Sequence, residues 1–248
     1  MLYILIMTNR FFKYLLVFIG MVVTTVPVAT ARKFNDKVLN RPYADNRRWH
    51  LGFSVGMHTQ DISFTSNGMF TEDGENWYIE QPSYQPGFCV NGLFDLRLNN
   101  YFNLRFNPGF YFGNRDIVMY DQTFGYKESE SLKSAYIVLP VDIKFSAVRY
   151  RNSRPYISAG VMPAIDVAKK RADIIRLKNY DTYLTVGIGC DFYLPYFKFI
   201  PEVKFCFGLS DVLERNRPDL VDDPSKLKFT ESIKKATSKM IVLTFYFE

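Results

Sequence analysis

The chain has 248 residues, a formal net charge of +6, and 48% hydrophobic and 17% aromatic content. Its 23 Phe and 17 Tyr, with moderate charge, exclude a disordered chain, and three scattered Cys exclude a disulfide scaffold. A mean hydropathy of −0.11 excludes a bundle of transmembrane helices, which needs several runs of about 20 apolar residues.

One such run stands at the N-terminus. Arg10 and Lys13 precede an apolar stretch from Tyr14 to Val28, and Ala29-Thr30-Ala31 follows. Charged, apolar and small residues in that order predict a secretory signal over residues 1–31. A single membrane anchor is the alternative, and the short apolar core with its A-x-A pattern favours cleavage. Cleavage after Ala31 removes Arg10 and Lys13 and no acid, which lowers the charge from +6 to +4. The exported chain carries Cys89, Cys190 and Cys206, whose spacing shows no pairing. All three read as packing residues. Residues 32–48 form a basic tail, with Arg32, Lys33, Lys37, Arg41, Arg47 and Arg48 against Asp36 and Asp45.

From residue 49 to 248 the hydropathy alternates with period two, the strand signal. Leu51, Phe53, Val55 and Met57 share a face opposite His50, Gly52, Ser54 and His58. Phe88, Val90, Phe94 and Leu96 oppose Asn91, Asp95 and Arg97, and Asn99-Asn100 reads as a two-residue hairpin turn. Phe102 to Phe112 then alternates with Asn103, Arg105 and Asn107. Ile137 to Phe145 opposes Tyr136, Asp142 and Lys144; Ile157 to Val167 opposes Tyr156, Ser158 and Asp166. Leu184 to Phe192 opposes Tyr183, Thr185 and Asp191; Phe197 to Phe207 opposes Lys198, Glu202 and Lys204. Ile241, Leu243, Phe245 and Phe247 close the series, opposite Val242, Thr244 and Tyr246.

These eight strands are long for a soluble sheet and suit tilted membrane strands, which need about 9–11 residues. Their connections alternate. Asn99-Asn100, 148–154 and 194–196 are short, whereas 65–85, 114–131, 168–180 and 209–238 are long. The pattern predicts an all-β fold: an eight-stranded antiparallel up-and-down transmembrane β-barrel with short periplasmic turns and long extracellular loops. A soluble sandwich also predicts the alternation; the signal segment, strand length, loop asymmetry and aromatic content favour the barrel. An open sheet edge cannot stand in hydrocarbon, so the first strand must pair with the last. The aromatic run Phe245-Tyr246-Phe247 is a candidate barrel-assembly signal, with Glu248 after it as a departure.

Closure turns the polar face into a narrow lumen. Asp95, Arg97, Arg105, Asp142, Lys144, Asp191, Glu202 and Lys204 then form a structural charge network. Asp95 with Arg97, Asp142 with Lys144, and Glu202 with Lys204 are expected to pair along single strands. No catalytic, cofactor or metal motif stands out. His50 and His58 lie on the first strand's polar face without further ligands at metal-site spacing. The non-enzymatic reading is favoured, with a lipid-modifying barrel as the form an enzyme would take. The first long loop is acidic, with Glu72, Asp73, Glu75 and Glu80; the third is basic, with Lys169, Lys170, Arg171, Arg176 and Lys178. The periplasmic end is basic too: Arg41, Arg47, Arg48, Arg149, Arg151 and Arg154 are a candidate partner surface for anionic head groups or an acidic protein. Nucleic acid is not an expected partner; outer-membrane lipid is.

Several segments, in order, resemble the PorT family of outer-membrane proteins from Bacteroidetes. They are Asn40-Arg41-Pro42-Tyr43-Ala44-Asp45, Pro86-Gly87-Phe88, Asp95-Leu96-Arg97-Leu98, Asn103-Leu104-Arg105-Phe106 and Leu139-Pro140-Val141-Asp142-Ile143-Lys144. Arg154-Pro155-Tyr156, Gly187-Ile188-Gly189-Cys190-Asp191 and Pro201-Glu202-Val203-Lys204-Phe205 complete the match. The resemblance implies a non-enzymatic component of type IX secretion, working with secretion-system proteins at the periplasmic face. An eight-stranded barrel has room inside only for side chains or one small ligand, so it would serve as an accessory or assembly factor and not as a conduit for folded cargo. A small structural or adhesive barrel working through its outer loops is the alternative.

Overall fold

The computed structural model describes residues 39–68, 77–80, 85–121, 123, 125, 127–168, 175–216 and 232–248. The predicted signal at 1–31, the tail before residue 39, Glu72, Asp73 and Glu75 of the first loop and Lys169, Lys170 and Arg171 of the third lie outside them.

Among the described residues, eleven strand segments form one antiparallel sheet. They are β1 (Trp49–Ser66), β2 (Trp77–Glu80), β3 (Pro86–Arg97), β4 (Phe102–Phe106), β5 (Gly109–Asp121), β6 (Lys127–Val138), β7 (Val141–Ser146), β8 (Ser153–Asp166), β9 (Tyr180–Tyr193), β10 (Lys198–Gly208) and β11 (Ile233–Phe247). Eight wall strands result, because β4 with β5 and β6 with β7 each form one strand interrupted at a proline. The register proves it: Phe106 faces Val141 and Gly109 faces Val138, so no residue is gained or lost across the break. β2 is an extra rung beyond the wall, paired with β5.

The wall closes on itself, β1 pairing with β11 from Phe53–Phe247 to Ser66–Ile233. Facing residues can be followed once round, through Leu96, Leu104, Ile143, Ala159, Val186, Phe205 and Ile241. The circuit leaves β1 at Trp49 and returns to it at Thr59, a stagger of ten residues. With a rise of about 3.3 Å and strands about 4.7 Å apart, that stagger tilts eight strands by roughly 40°.

Side-chain parity runs opposite to that of a soluble domain. Leu51, Phe53, Met57, Phe88, Phe110, Ile143, Ile157, Ile188, Phe207 and Ile241 are all exposed on the outer face. Asp95, Arg105, Asp142, Lys144, Glu202 and Lys204 are buried inside. Water would reject such a surface and hydrocarbon favours it. Aromatic pairs tie the belt across strands, such as Phe88–Phe112 at 5.0 Å and Phe53–Phe247 at 5.3 Å between ring centroids. The belt has a clear upper limit. Above Met57 the outward residues of β1 turn to Thr59, Asp61 and Ser63, and above Ile241 those of β11 turn to Lys239 and Thr237, with Asp61 facing Lys239.

Prolines in the wall are unusual, because a closed barrel has no edge on which to hide them, and three of them show the consequence. Gly92 donates to the Pro108 carbonyl, Asn107 to Pro140 and Leu139 to Pro163, at 2.8, 3.2 and 3.0 Å. None of these bonds can be returned, since proline has no N–H.

Predicted connections differ in places: β11 already begins at Ile233, inside the predicted 209–238 loop, because the alternation of the last strand continues beyond the membrane belt. Residues 114–131 are a tall hairpin of β5 and β6 rather than a long loop, because their alternation continues beyond the membrane belt. The Asn99-Asn100 turn spans 98–101, as Asn99 Oδ1 accepts from the Tyr101 and Phe102 amides at 2.8 Å each and holds a wider turn.

Candidate functional site

The lumen is layered. At the loop end, Ile62, Ile117, Met119, Ile233 and Ala236 from the wall pack with Trp77, Ile175, Leu177, Val212 and Leu213 from the connections. Leu177 and Leu213 bridge the third and fourth connections. Asp211 fastens this cap, accepting from the Leu213 and Ala236 amides at 3.3 and 3.0 Å and pairing with Arg215 at 2.8 Å. Partial burial works against ionisation of Asp211; those amides with Arg215 and Lys178 outweigh it and lower its pKa. Below the cap, Cys89, Tyr111, Tyr183, Cys206 and Met240 fill a middle layer, and His58 stacks on Tyr111 at 5.2 Å. The described cysteines are free thiols.

Beneath lies the charge layer. Arg105, fully buried, donates through Nε and Nη2 to Asp95 Oδ2 at 3.1 and 3.0 Å. Its Nη1 reaches Glu202 Oε2 at 3.0 Å and Tyr156 Oη at 3.1 Å, and the Tyr156 hydroxyl donates to Glu202 at 2.6 Å. Lys204 bridges Asp142, at 2.5 Å, and Glu202, at 3.4 Å. Thr185 donates to Asp142 at 2.7 Å, and Asn103 to Asp95 at 2.5 Å. Lys144 binds Asp191 at 2.7 Å and lies 4.1 Å from the Tyr156 ring centroid. That ring occupies the space a side chain at position 189 would fill: a Cβ there would meet Tyr156 Cζ and Oη at 2.5 Å, so only glycine fits.

Seven of the eight expected network residues are thus brought together. Arg97 is not: it sits at the turn end and donates to Asn99 O and Asn100 Oδ1, at 3.3 and 2.5 Å. The expected pairing along single strands is corrected too. Asp95 pairs with Arg105, its direct ladder partner on the neighbouring strand, while the pairs Asp142 with Lys204 and Lys144 with Asp191 join strands that are not neighbours, which a narrow barrel brings within side-chain reach. Only Glu202 and Lys204 meet along one strand. The hydroxyl and amide partners, Asn103, Tyr156, Thr185 and Ser158, which donates to Glu202 at 3.3 Å, carried the inward parity in the sequence but no charge to single them out.

The turn end is closed by the segment 39–48, whose short 3-10 turn Ala44–Asn46 buries Ala44. Asn40 donates from its amide to Asn152 Oδ1 and from Nδ2 to Tyr193 O, at 2.9 and 3.0 Å; Arg41 donates to Glu248 O at 3.0 Å. Asp45 accepts from Tyr193 Oη at 2.5 Å and lies within 4.0 Å of Arg149, Arg154 and Lys198. Arg149 also donates to the carbonyls of Asn40 and Arg41. Arg41, Arg149 and Arg154 are therefore committed to internal contacts, while Arg47, Arg48 and Arg151 are exposed. Beside this plug Glu248 pairs with His50 at 2.6 Å and Lys198 at 2.8 Å. Burial opposes ionisation of Glu248, but the His50 hydrogen bond and the Lys198 ammonium hold its carboxyl well below the usual range.

The lumen's charge layer is therefore a set of mutually paired side chains, three cations against four carboxylates, with an apolar cap at one end and a folded segment at the other. Such a barrel meets its surroundings through its lipid belt and its two ends.

Comparison with curated proteins finds no match. Among solved structures, the chain is similar to the outer membrane protein OprG from Pseudomonas aeruginosa, at 11% identity and TM-score 0.43, over 79% of this chain and 93% of that one. It is similar to Neisserial surface protein A at 11% identity and TM-score 0.41, over 81% and 98%. It is similar to Ail, the attachment invasion locus protein of Yersinia pestis, at 11% identity and TM-score 0.35, over 81% and 99%. The family model described as outer membrane protein beta-barrel domain matches residues 35–214. The chain belongs to the outer membrane protein beta-barrel domain family.

Proposed function

We propose that this outer-membrane barrel is a non-enzymatic accessory or assembly component of type IX protein secretion, acting on secretion-system proteins at its periplasmic face. The observation that carries this reading is the plugged turn end: the lumen offers no conduit, yet the closing segment leaves Arg47, Arg48 and Arg151 exposed beside it. The residue pattern shared with the PorT family supplies the secretion context, and the exported, lipid-embedded chain its place. The carboxylates and cations of the charge layer pair with one another, which suits a structural role better than acid–base work.

Deleting the gene should retain secreted cargo in the periplasm, and the intact barrel should recover secretion components in pull-downs. Normal export by the deletion strain would overturn the reading. The ordered loop cap around Leu177 and Leu213 favours a second reading, a structural or adhesive barrel working from outside. In that case removal of 209–238, and not of 32–48, would abolish the phenotype.

A further inference from the structure

Among the described residues, the contacts of Asp45 differ from the other ion pairs. The receiving groups belong to the barrel: Arg149 from the β7–β8 turn, Arg154 from the start of β8, Tyr193 from the end of β9 and Lys198 from the start of β10. The carboxylate comes from a separate segment laid across the mouth. Among the described residues Asp45 is the carboxylate within ion-pair distance of Arg149 and Arg154, at 3.8 and 3.6 Å, and their side chains are only 12% exposed. Lys198 has Glu248 as a second partner. Arg149 is further fixed over the Tyr193 ring at 3.6 Å from its centroid. Two half-buried guanidinium groups are thus held in place to receive an anion, and they would be left uncompensated if the segment departed.

The segment itself is held by polar contacts, with little apolar burial. Ala44 is its buried residue, Arg41 adopts a left-handed backbone (φ 50), and Asp45 is 24% exposed, with ion-pair distances of 3.6–4.0 Å. Polar contacts of this kind can be exchanged for equivalent ones; a segment anchored by apolar burial could not be.

We infer that the periplasmic mouth is a carboxylate receptor, filled here by Asp45 in cis and able to take an acidic polypeptide segment of a partner in trans. The receptor's ligand is an Asp or Glu side chain on a segment with free backbone carbonyls nearby, since Arg149 also donates to the carbonyls of Asn40 and Arg41 in the resident segment. The inference rests on the reading above for the existence of a periplasmic protein partner, but its test does not.

The full exported chain in zwitterionic nanodiscs would be titrated with a fluorescent peptide carrying six aspartates, followed by anisotropy. Asp45→Asn should bind at least tenfold tighter than the natural chain, because the competing carboxylate is lost. Arg149→Gln with Arg154→Gln in the same background should abolish the gain, and a hexalysine peptide should not bind. Heat-modifiable gel migration would verify the fold of each variant. In the unsubstituted chain the acidic peptide should also speed tryptic cleavage at Arg47 and Arg48 several-fold by lifting the segment, which needs no variant. No gain in Asp45→Asn, a gain that survives loss of both arginines, an unchanged cleavage rate, or capture by phosphatidylglycerol nanodiscs without peptide binding would each overturn the inference. Normal cargo export alongside the expected peptide binding would sink the secretion reading and leave the receptor standing.

Discussion

Lys144 Nζ lies 2.7 and 2.8 Å from the two carboxylate oxygens of Asp191, although β7 and β9 are not neighbours in the wall. β8 stands between them, and the Tyr156 ring it projects inward packs under the ammonium. The pair therefore ties three strands together. Lys144→Met should destabilise the barrel by about 3–5 kcal/mol, because Asp191 is left charged and buried. Adding Asp191→Asn should recover most of that loss. Urea unfolding in lipid vesicles, read by gel mobility, checks both; a double variant no more stable than Lys144→Met would exclude the pairing.

Glu248 gives the turn end a pH dependence. Its folded pKa is lowered from the ordinary 4.5, so its contribution is fully present above that value and lost as pH falls from there through the folded pKa. Between pH 5 and pH 3, Glu248→Gln should lose stability less steeply than the natural chain. Parallel slopes for the two proteins would contradict the assignment.

Pro163 withholds one bond from the Leu139 carbonyl, and Pro163→Val should return it. The expected gain is about 1 kcal/mol in unfolding free energy. Pro155 is the internal control. The Ala147 amide donates to it, and the Ala147 carbonyl that it cannot serve already accepts from Arg154 Nε at 2.8 Å. Pro155→Val should gain nothing, so equal gains at both positions would show that the missing rung is not the cause.

Ile143 is 54% exposed in the middle of the apolar belt. Ile143→Arg should cost about 2–4 kcal/mol on folding into bilayers. Lys239→Leu, at the upper limit of the belt, should be close to neutral. Similar costs at the two sites would misplace the membrane.

Asp211 holds the loop cap from outside the wall. Asp211→Ala should expose residues 209–216 to protease sooner while leaving barrel melting within about 0.5 kcal/mol. Its lowered pKa gives the same sign of pH dependence: the cap loosens as acid protonates it. Unchanged cleavage would assign the cap to the Leu177–Leu213 packing alone.

The alternation of residues such as Phe53, Val55 and Met57 against Ser54 and His58 determined strand positions and faces. A strand sends successive side chains to opposite sides whatever surrounds it. Connection lengths determined the up-and-down order for the same local reason. Parity also marked Asp95, Arg105 and Glu202 as members of one face. It did not determine their partners: Arg105 meets Glu202 only because the wall closes with a stagger of ten residues, and that register is a property of all eight strands together. The same closure left Arg97 out, since the lumen ends where its strand does. The basic end was legible as composition, yet only tertiary structure divided Arg149 and Arg154, turned inward onto Asp45, from Arg47, Arg48 and Arg151, left outside. A charge's neighbours along the chain are known from the sequence; its neighbours across a closed barrel depend on where every strand lies.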